Sequence, residues 1–290
     1  MRDKKVAGRK WLRCSHSFRK QVPVAEKWAY RIFLISLVWF TPGLIEAQIL
    51  RKPIPDKTVV LTFDDAPASH YSHVAPLLKE KGFGATFFVC EFPPNHADSS
   101  KYMNWRQMQA LDRMGFEVAN HTHTHAGVGN LPKEEIRQQI EYIEEKMDSL
   151  AMQQPISFAY PGYSMSETVL AVLKEKNYRI ARAGGSRVYD PLADHPYLLP
   201  SWATDDTNEA MIFDALKKAK NGKVVILTIH GVPDLEHPWV NTSPERFARY
   251  LDFLSKEGYQ VLSLKDLEAY IDFEAAFRLL EADLHKPLKN

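Results

Sequence analysis

Cysteine is nearly absent from this chain: two residues, Cys14 and Cys90, in 290. Cys14 would leave with an N-terminal signal segment, and Cys90 alone cannot form an internal disulfide. A long apolar run is missing too. The best candidate, IFLISLVWF at 32–40, is broken by Thr41, Pro42 and Gly43 and is too short to span a bilayer comfortably. The net charge is small, +1 for the whole chain. Residues 1–47 hold ten Lys/Arg against three Asp/Glu, which leaves 27 basic and 33 acidic residues, about −6, for the remainder. A body of that charge is not a nucleic-acid binder. There is no internal repeat, low-complexity tract or Gly/Ser linker between 57 and 271.

A basic stretch followed by a nine-residue apolar run has the size of a signal peptide, with Ile45-Glu46-Ala47 as a cleavage site before Gln48. Export to the periplasm or exterior is therefore expected, with a retained membrane anchor as the alternative. The expected organisation is a basic N-terminal region over 1–47, one catalytic domain over 57–271 and a tail over 272–290, in which 273–290 offers a short capping helix. An apolar content of 45% is ample for a core.

From residue 57 the pattern alternates. Strands are expected at 58–63, 85–90, 116–120, 156–161, 179–183, 197–202, 224–230 and 259–264. Helices are expected near 70–81, 104–114, 132–151, 166–177, 208–219 and 244–257. Near-continuous apolar strands separated by helices indicate an α/β fold with a mostly parallel sheet, closed as a barrel or left open. In such folds sites form at the carboxyl ends of strands. Polar residues gather there: Thr62-Phe63-Asp64-Asp65-Ala66-Pro67, then Asn120 to His125, Ala159-Tyr160-Pro161-Gly162-Tyr163, Trp202 with Asp205 and Asp206, and Thr228-Ile229-His230.

The run HTHTH at 121–125 admits two geometries. On a strand all three histidines would share a face; on a helical turn only His121 and His125 would converge. Two histidines and a carboxylate make a triad that can hold a metal with positions left open. Of the adjacent Asp64 and Asp65, one could ligate while the other serves as base, with His230 as the matching acid.

The ordered set TFDDAP (62–67), HTHTH (121–125), FAYPGY (158–163) and LTIH (227–230) resembles the polysaccharide deacetylases of carbohydrate esterase family four, the NodB-homology domain. The resemblance spans about residues 57–268. It implies a deformed (β/α) barrel of seven to eight strands and a divalent metal, zinc first, with cobalt or nickel as alternatives. It implies Asp65, His121 and His125 as ligands, Thr122 as the residue bracing their loop, and His123 at a variable position. It further implies Asp64 as base, His230 as acid and a backbone N–H near Tyr160 as part of an oxyanion hole. Tyr160, Pro161, Tyr163 and Trp202 become candidate substrate contacts. The implied reaction is hydrolysis of acetamide groups on an N-acetylated polysaccharide, releasing acetate.

Two departures stand out. Ala66 replaces the usual glycine, which disfavours positive φ. Ala159 stands where the third motif usually has the arginine that orients the base; Arg182 on the next strand is a candidate replacement, and Asp205 a further orienting charge. Two rival readings are a hydrolase of another C–N bond, such as a ureide or cyclic imide, and a silent glycan-binding module. The role of the acidic loop 233–239, with His237, is left open.

Overall fold

The computed structural model describes residues 41–286. It divides into two units, residues 1–43 and 44–290. The basic stretch and the apolar run of the expected signal peptide lie outside the described residues. Helix α1 (Thr41–Ile49) spans the expected cleavage site, and no helix among the described residues is long and apolar enough to cross a membrane.

In the second unit the sheet contains β1 (Thr58–Phe63), β2 (Thr86–Val89), β3 (Glu117–Asn120), β4 (Ser157–Ala159), β5 (Ile180–Arg182), β6 (Trp202–Ala203), β7 (Val225–Ile229) and β8 (Gln260–Leu262). Their order is β5-β4-β3-β2-β1-β7-β6, with β8 against the first half of β1, and every pairing is parallel. The two ends approach each other through the segment before β6. Ala181 and Ala183 donate to the carbonyls of Pro196 and Leu199, and Leu199 donates back to Ala181. The result is the deformed barrel that the strand pattern and the resemblance imply.

Alternation along each strand builds two cores. Val59, Leu61, Phe87, Val89, Val118, Val225 and Leu227 pack outward, while Val60, Phe88, Ala119, Ala159 and Ile226 fill the interior. Burial on both faces is why these strands read as unbroken apolar runs. Helices α2 (Ala75–Lys81), α3 (Trp105–Arg113), α4 (Lys133–Ser149), α5 (Glu167–Glu175), α6 (Glu209–Leu216) and α7 (Pro244–Lys256) follow their strands, and α8 (Phe273–Leu279) lies in the tail. Their starts carry local signals: Asn104 and Gln107 form a reciprocal capping box on α3, Ser166 caps α5 and Asp272 caps α8.

Candidate active site and metal centre

The same alternation aims the chemistry. Val60, Thr62 and Asp64 share the inner face of β1, as do Ile226, Thr228 and His230 on β7, and Ile180 and Arg182 on β5. Arg182 is wholly buried, and its guanidinium donates to Asp64 Oδ2 at 2.5 Å and to Thr228 Oγ1 at 2.6 Å. It is also the register partner of Ala159. The positive charge missing from β4 is therefore supplied from the neighbouring position across the ladder, and the distance to the carboxylate is that of a direct ion pair.

Strict alternation would send Asp65 outward. Instead β1 breaks there: Asp65 has φ +70° and Ala66 φ +55°. The alanine thus adopts the left-handed conformation in spite of its methyl group, at a cost of about 1 kcal/mol. Thr122 (φ +67°), His125 (φ +54°) and Tyr163 (φ +55°) are left-handed too. Such residues gathered round one cleft are a sign of function, because packing must hold them there.

Asp65 Oδ1 lies 3.3 Å from Nε2 of both His121 and His125, yet it has no hydrogen-bond partner. The ligand atoms of these three residues all lie within 4.8 Å of one another, and no other His, Cys, Asp or Glu trio among the described residues does so. His121 Nδ1 is 2.9 Å from the carbonyl of Ala159. A carbonyl only accepts, so Nδ1 carries the proton and Nε2 of the neutral ring presents its lone pair to the site. An unpartnered buried carboxylate oxygen and an imidazole fixed in the ligating tautomer fit a divalent cation.

The ionisable groups here perturb one another strongly. Burial works against the Asp65 carboxylate, but the surrounding His121, His230 and His125 outweigh it and hold the group well below the usual carboxylate range. Burial lowers His121 as well, and the Asp64 and Asp65 charges overcome this, leaving it raised. His125, penalised by burial and by the charge of His121, falls to about 4. His230 reaches the same carboxylate, its Nε2 3.9 Å from Asp65 Oδ2, with Nδ1 buried and unpartnered.

His123 turns away. Its ring stacks on Tyr142 with centroids 3.5 Å apart, and its Nε2 lies 3.3 Å from Glu91 Oε2. Of the two geometries open for HTHTH, the structure has the pair. Thr122 braces the loop, with Oγ1 accepting the N–H of Ala126 and its own N–H donating to Asn120.

Several expected contacts are corrected. Trp202 is only 2% exposed and packs in the outer core, so no ring face is open to a sugar. Tyr160 is equally buried, its hydroxyl donating to the Tyr197 carbonyl, and its N–H donates to Arg182 O in the β-ladder at 3.3 Å and is not free for an oxyanion. Pro161 is buried below. Asp205 accepts from Thr207 and Asn208 in a local turn, and these contacts, not Asp64, use its charge. Tyr163 does lie at the mouth: its ring is 5.8 Å from the Arg182 guanidinium and rests on Gly184, where a Cβ would meet it at 2.8 Å.

Two residues were not anticipated from sequence. Glu91, just past β2, collects Trp105 Nε1 and Tyr142 OH at 2.8 Å each, besides His123. The strand-end rule could have found it. His70, in a π-helical turn (His70–Val74), is wholly buried and pushed down to about 4 by that burial. Its Nε2 donates to the carbonyl of His230 at 2.9 Å and pins the end of β7. A lone histidine after a loop gave no signal of this.

Residues 51–181 match the sequence profile of the polysaccharide deacetylase family. Over 213 residues, 73% of this chain and 30% of its relative, the sequence is 24% identical to a bifunctional xylanase/deacetylase of Pseudobutyrivibrio xylanivorans. Over 126 residues, 43% of this chain and 41% of the other, it is 28% identical to a chitin deacetylase of Pestalotiopsis sp. The chain thus spans less than half the length of these curated relatives. A family 4 acetyl xylan esterase from Clostridium thermocellum, solved with a cobalt ion, shares the fold: TM-score 0.52 and 23% identity over 73% of this chain and 90% of that one. Over residues 51–181, a stretch that takes in the two aspartates and the histidine pair, this chain is similar to the polysaccharide deacetylase family, and its barrel is the fold of the family 4 structures.

Proposed function

We propose that the protein is a metal-dependent hydrolase that removes acetyl groups from N-acetylated sugars of a glycan. The observation that carries this reading is the buried Asp65–His121–His125 group with its unpartnered carboxylate oxygen, set beside Asp64 and His230. A family that includes chitin deacetylases supports the substrate class.

A divalent cation held by Asp65, His121 and His125 would polarise the amide carbonyl and acidify a water molecule. The rest falls to the chain's own residues. Asp64 keeps Oδ1 free while Arg182 fixes Oδ2, so one oxygen is available to take the proton of the attacking water. His230, anchored through its backbone by His70, delivers a proton to the nitrogen as the C–N bond breaks. An unprotonated amide nitrogen leaves poorly, so the reaction needs such an acid. Tyr163 and Phe92 shelter the mouth beside His125, whose ring lies 4.8 Å from that of Phe92.

Acetate release from an N-acetylated oligosaccharide tests the proposal. It is expected to be lost with a chelator, restored by zinc, cobalt or nickel, and lost in Asp64→Asn. Release indifferent to both chelator and substitution overturns it. Binding without turnover, one of the two rival readings, leans on the missing arginine, and the Arg182–Asp64 ion pair supplies a positive charge to the same carboxylate.

A further inference from the structure

Two of the most exposed large hydrophobic side chains among the described residues, Leu235 at 83% and Trp239 at 71%, stand on one segment that begins just after His230. The segment is firmly built. The buried Asp234 carboxylate accepts the N–H of Gly231 at 3.1 Å and of His237 at 2.8 Å, and its own N–H donates to Asn241 at 2.7 Å. A Cβ on Gly231 would meet Asp234 at 2.6 Å, so this close turn requires glycine. Glu236 is tied to Lys101 on the facing loop by a 2.9 Å ion pair.

From Trp239 a file of rings runs inward. Trp239 and His237 have centroids 5.4 Å apart, His237 and Phe92 4.7 Å, and Phe92 and His125 4.8 Å; Tyr102 stacks flat on Phe92 at 5.6 Å. The file therefore ends on a residue of the metal-binding trio. Alongside it opens a pocket of about 480 Å³, lined by Pro67, Ser69, Ser72, Lys101, Tyr102 and Glu236. Its size falls within the range of about 300–1,000 Å³ typical of small-molecule sites, and it is larger than an acetyl group needs.

We propose that this aromatic file and its pocket bind further sugar residues of the same glycan chain, with Trp239 as the outermost stacking platform. The inference rests on the deacetylase reading and extends it from a reacting sugar to an oligosaccharide. A pyranose offers an apolar C–H face with a rim of hydroxyls. That pattern fits rings flanked by serine hydroxyls and an ion pair. A lipid surface fits less well, because His237 and the Lys101–Glu236 pair interrupt the apolar residues and the segment is held rigid. An indole left in water in this way gains most by stacking on a ligand.

The test uses the full chain and N-acetylglucosamine oligosaccharides of increasing length. In the wild type KM is expected to fall with length, and Trp239→Ala is expected to erase about tenfold of that gain, with the loss in KM and not in kcat. Trp239→Phe, which keeps a ring, is expected to recover most of it. A length dependence identical in wild type and Trp239→Ala overturns the proposal while leaving the deacetylase reading intact. If the wild type releases no acetate at all, that reading fails, and calorimetric titration with the same oligosaccharides decides the subsite. Weaker binding of the longer ones by Trp239→Ala supports it, and equal binding overturns it. Loss of binding to phospholipid vesicles in Trp239→Ala, with KM unchanged, also overturns it.

Discussion

Glu117 and Asp65 are both carboxylates sealed inside the same barrel, one where β3 begins and the other where β1 stops. Each oxygen of Glu117 is occupied. Oε1 accepts from Ser157 at 2.5 Å, and Oε2 from Thr86 at 2.7 Å and from the Lys265 N–H at 2.9 Å. Asp65 Oδ1 touches two imidazoles and is hydrogen-bonded to neither. Burial is the largest single influence at both; it leaves Glu117 raised, while at Asp65 the histidines together outweigh it and pull the group down. A satisfied buried carboxylate closes the bottom of the barrel; an unsatisfied one at the top waits for a ligand.

Substitutions can break or sharpen this contrast. The largest effect is expected at the open end. His121→Ala or His125→Ala is expected to bring metal content to background in elemental analysis and to cut acetate release by at least about 10²-fold. Full occupancy in either variant would dissolve the distinction between the two ends.

Next comes Arg182→Ala, which leaves Asp64 buried without its counter-charge. A loss of about 3–5 kcal/mol is expected in the urea midpoint. Because Ala159 is its register partner, the double change Ala159→Arg with Arg182→Ala is expected to recover part of both stability and acetate release. No recovery would mean that the position across the ladder is not equivalent.

At the closed end Glu117→Ala is expected to cost about 2–3 kcal/mol, since buried donors lose their acceptor. Metal content in the folded fraction is expected to stay unchanged. The folded-state pKa of Glu117 is raised above its ordinary 4.5. Its proton-linked stabilisation is therefore full below pH 4.5 and lost as pH rises through the folded value. Glu117→Gln is expected to flatten that slope in pH-dependent melting, and an unchanged slope would remove Glu117 as its source.

The smallest effect is expected for His123→Ala: about 1 kcal/mol from lost stacking on Tyr142 and contact with Glu91, with metal retained. Loss of the metal would show that all three histidines matter.

Seven of the eight strands were legible because burial on both faces forces runs such as TVVLTF and VVILTI, and their carboxyl ends marked where polar residues would meet; the expected strand at 197–202 is met only at its last residue, because β6 is Trp202–Ala203. Spacing alone left HTHTH ambiguous, since it carries both a strand period and a helical one, and only the family resemblance pointed to the pair His121 and His125. Face assignment was harder for aromatics: nothing in YLLPSW tells that Trp202 points into packed helices. The ion pair between Asp64 and Arg182, 118 residues apart, was foreshadowed by the gap in the third motif and by the arginine on the next strand, but spacing alone could not bring the two together. The file from Trp239 to His125 draws on three irregular loops, which have no period to read.

The Ala159–Arg182 partnership bears on how kinship is detected. A family signature is written as a string, and a string records only what lies before and after a residue. A sheet is a grid, in which the neighbour across the ladder is as close as the neighbour along the chain. An essential charge can move one column sideways and keep its place in space while vanishing from the signature. Chains dismissed as degenerate for lack of one motif residue are better judged by looking sideways from the gap before they are set aside.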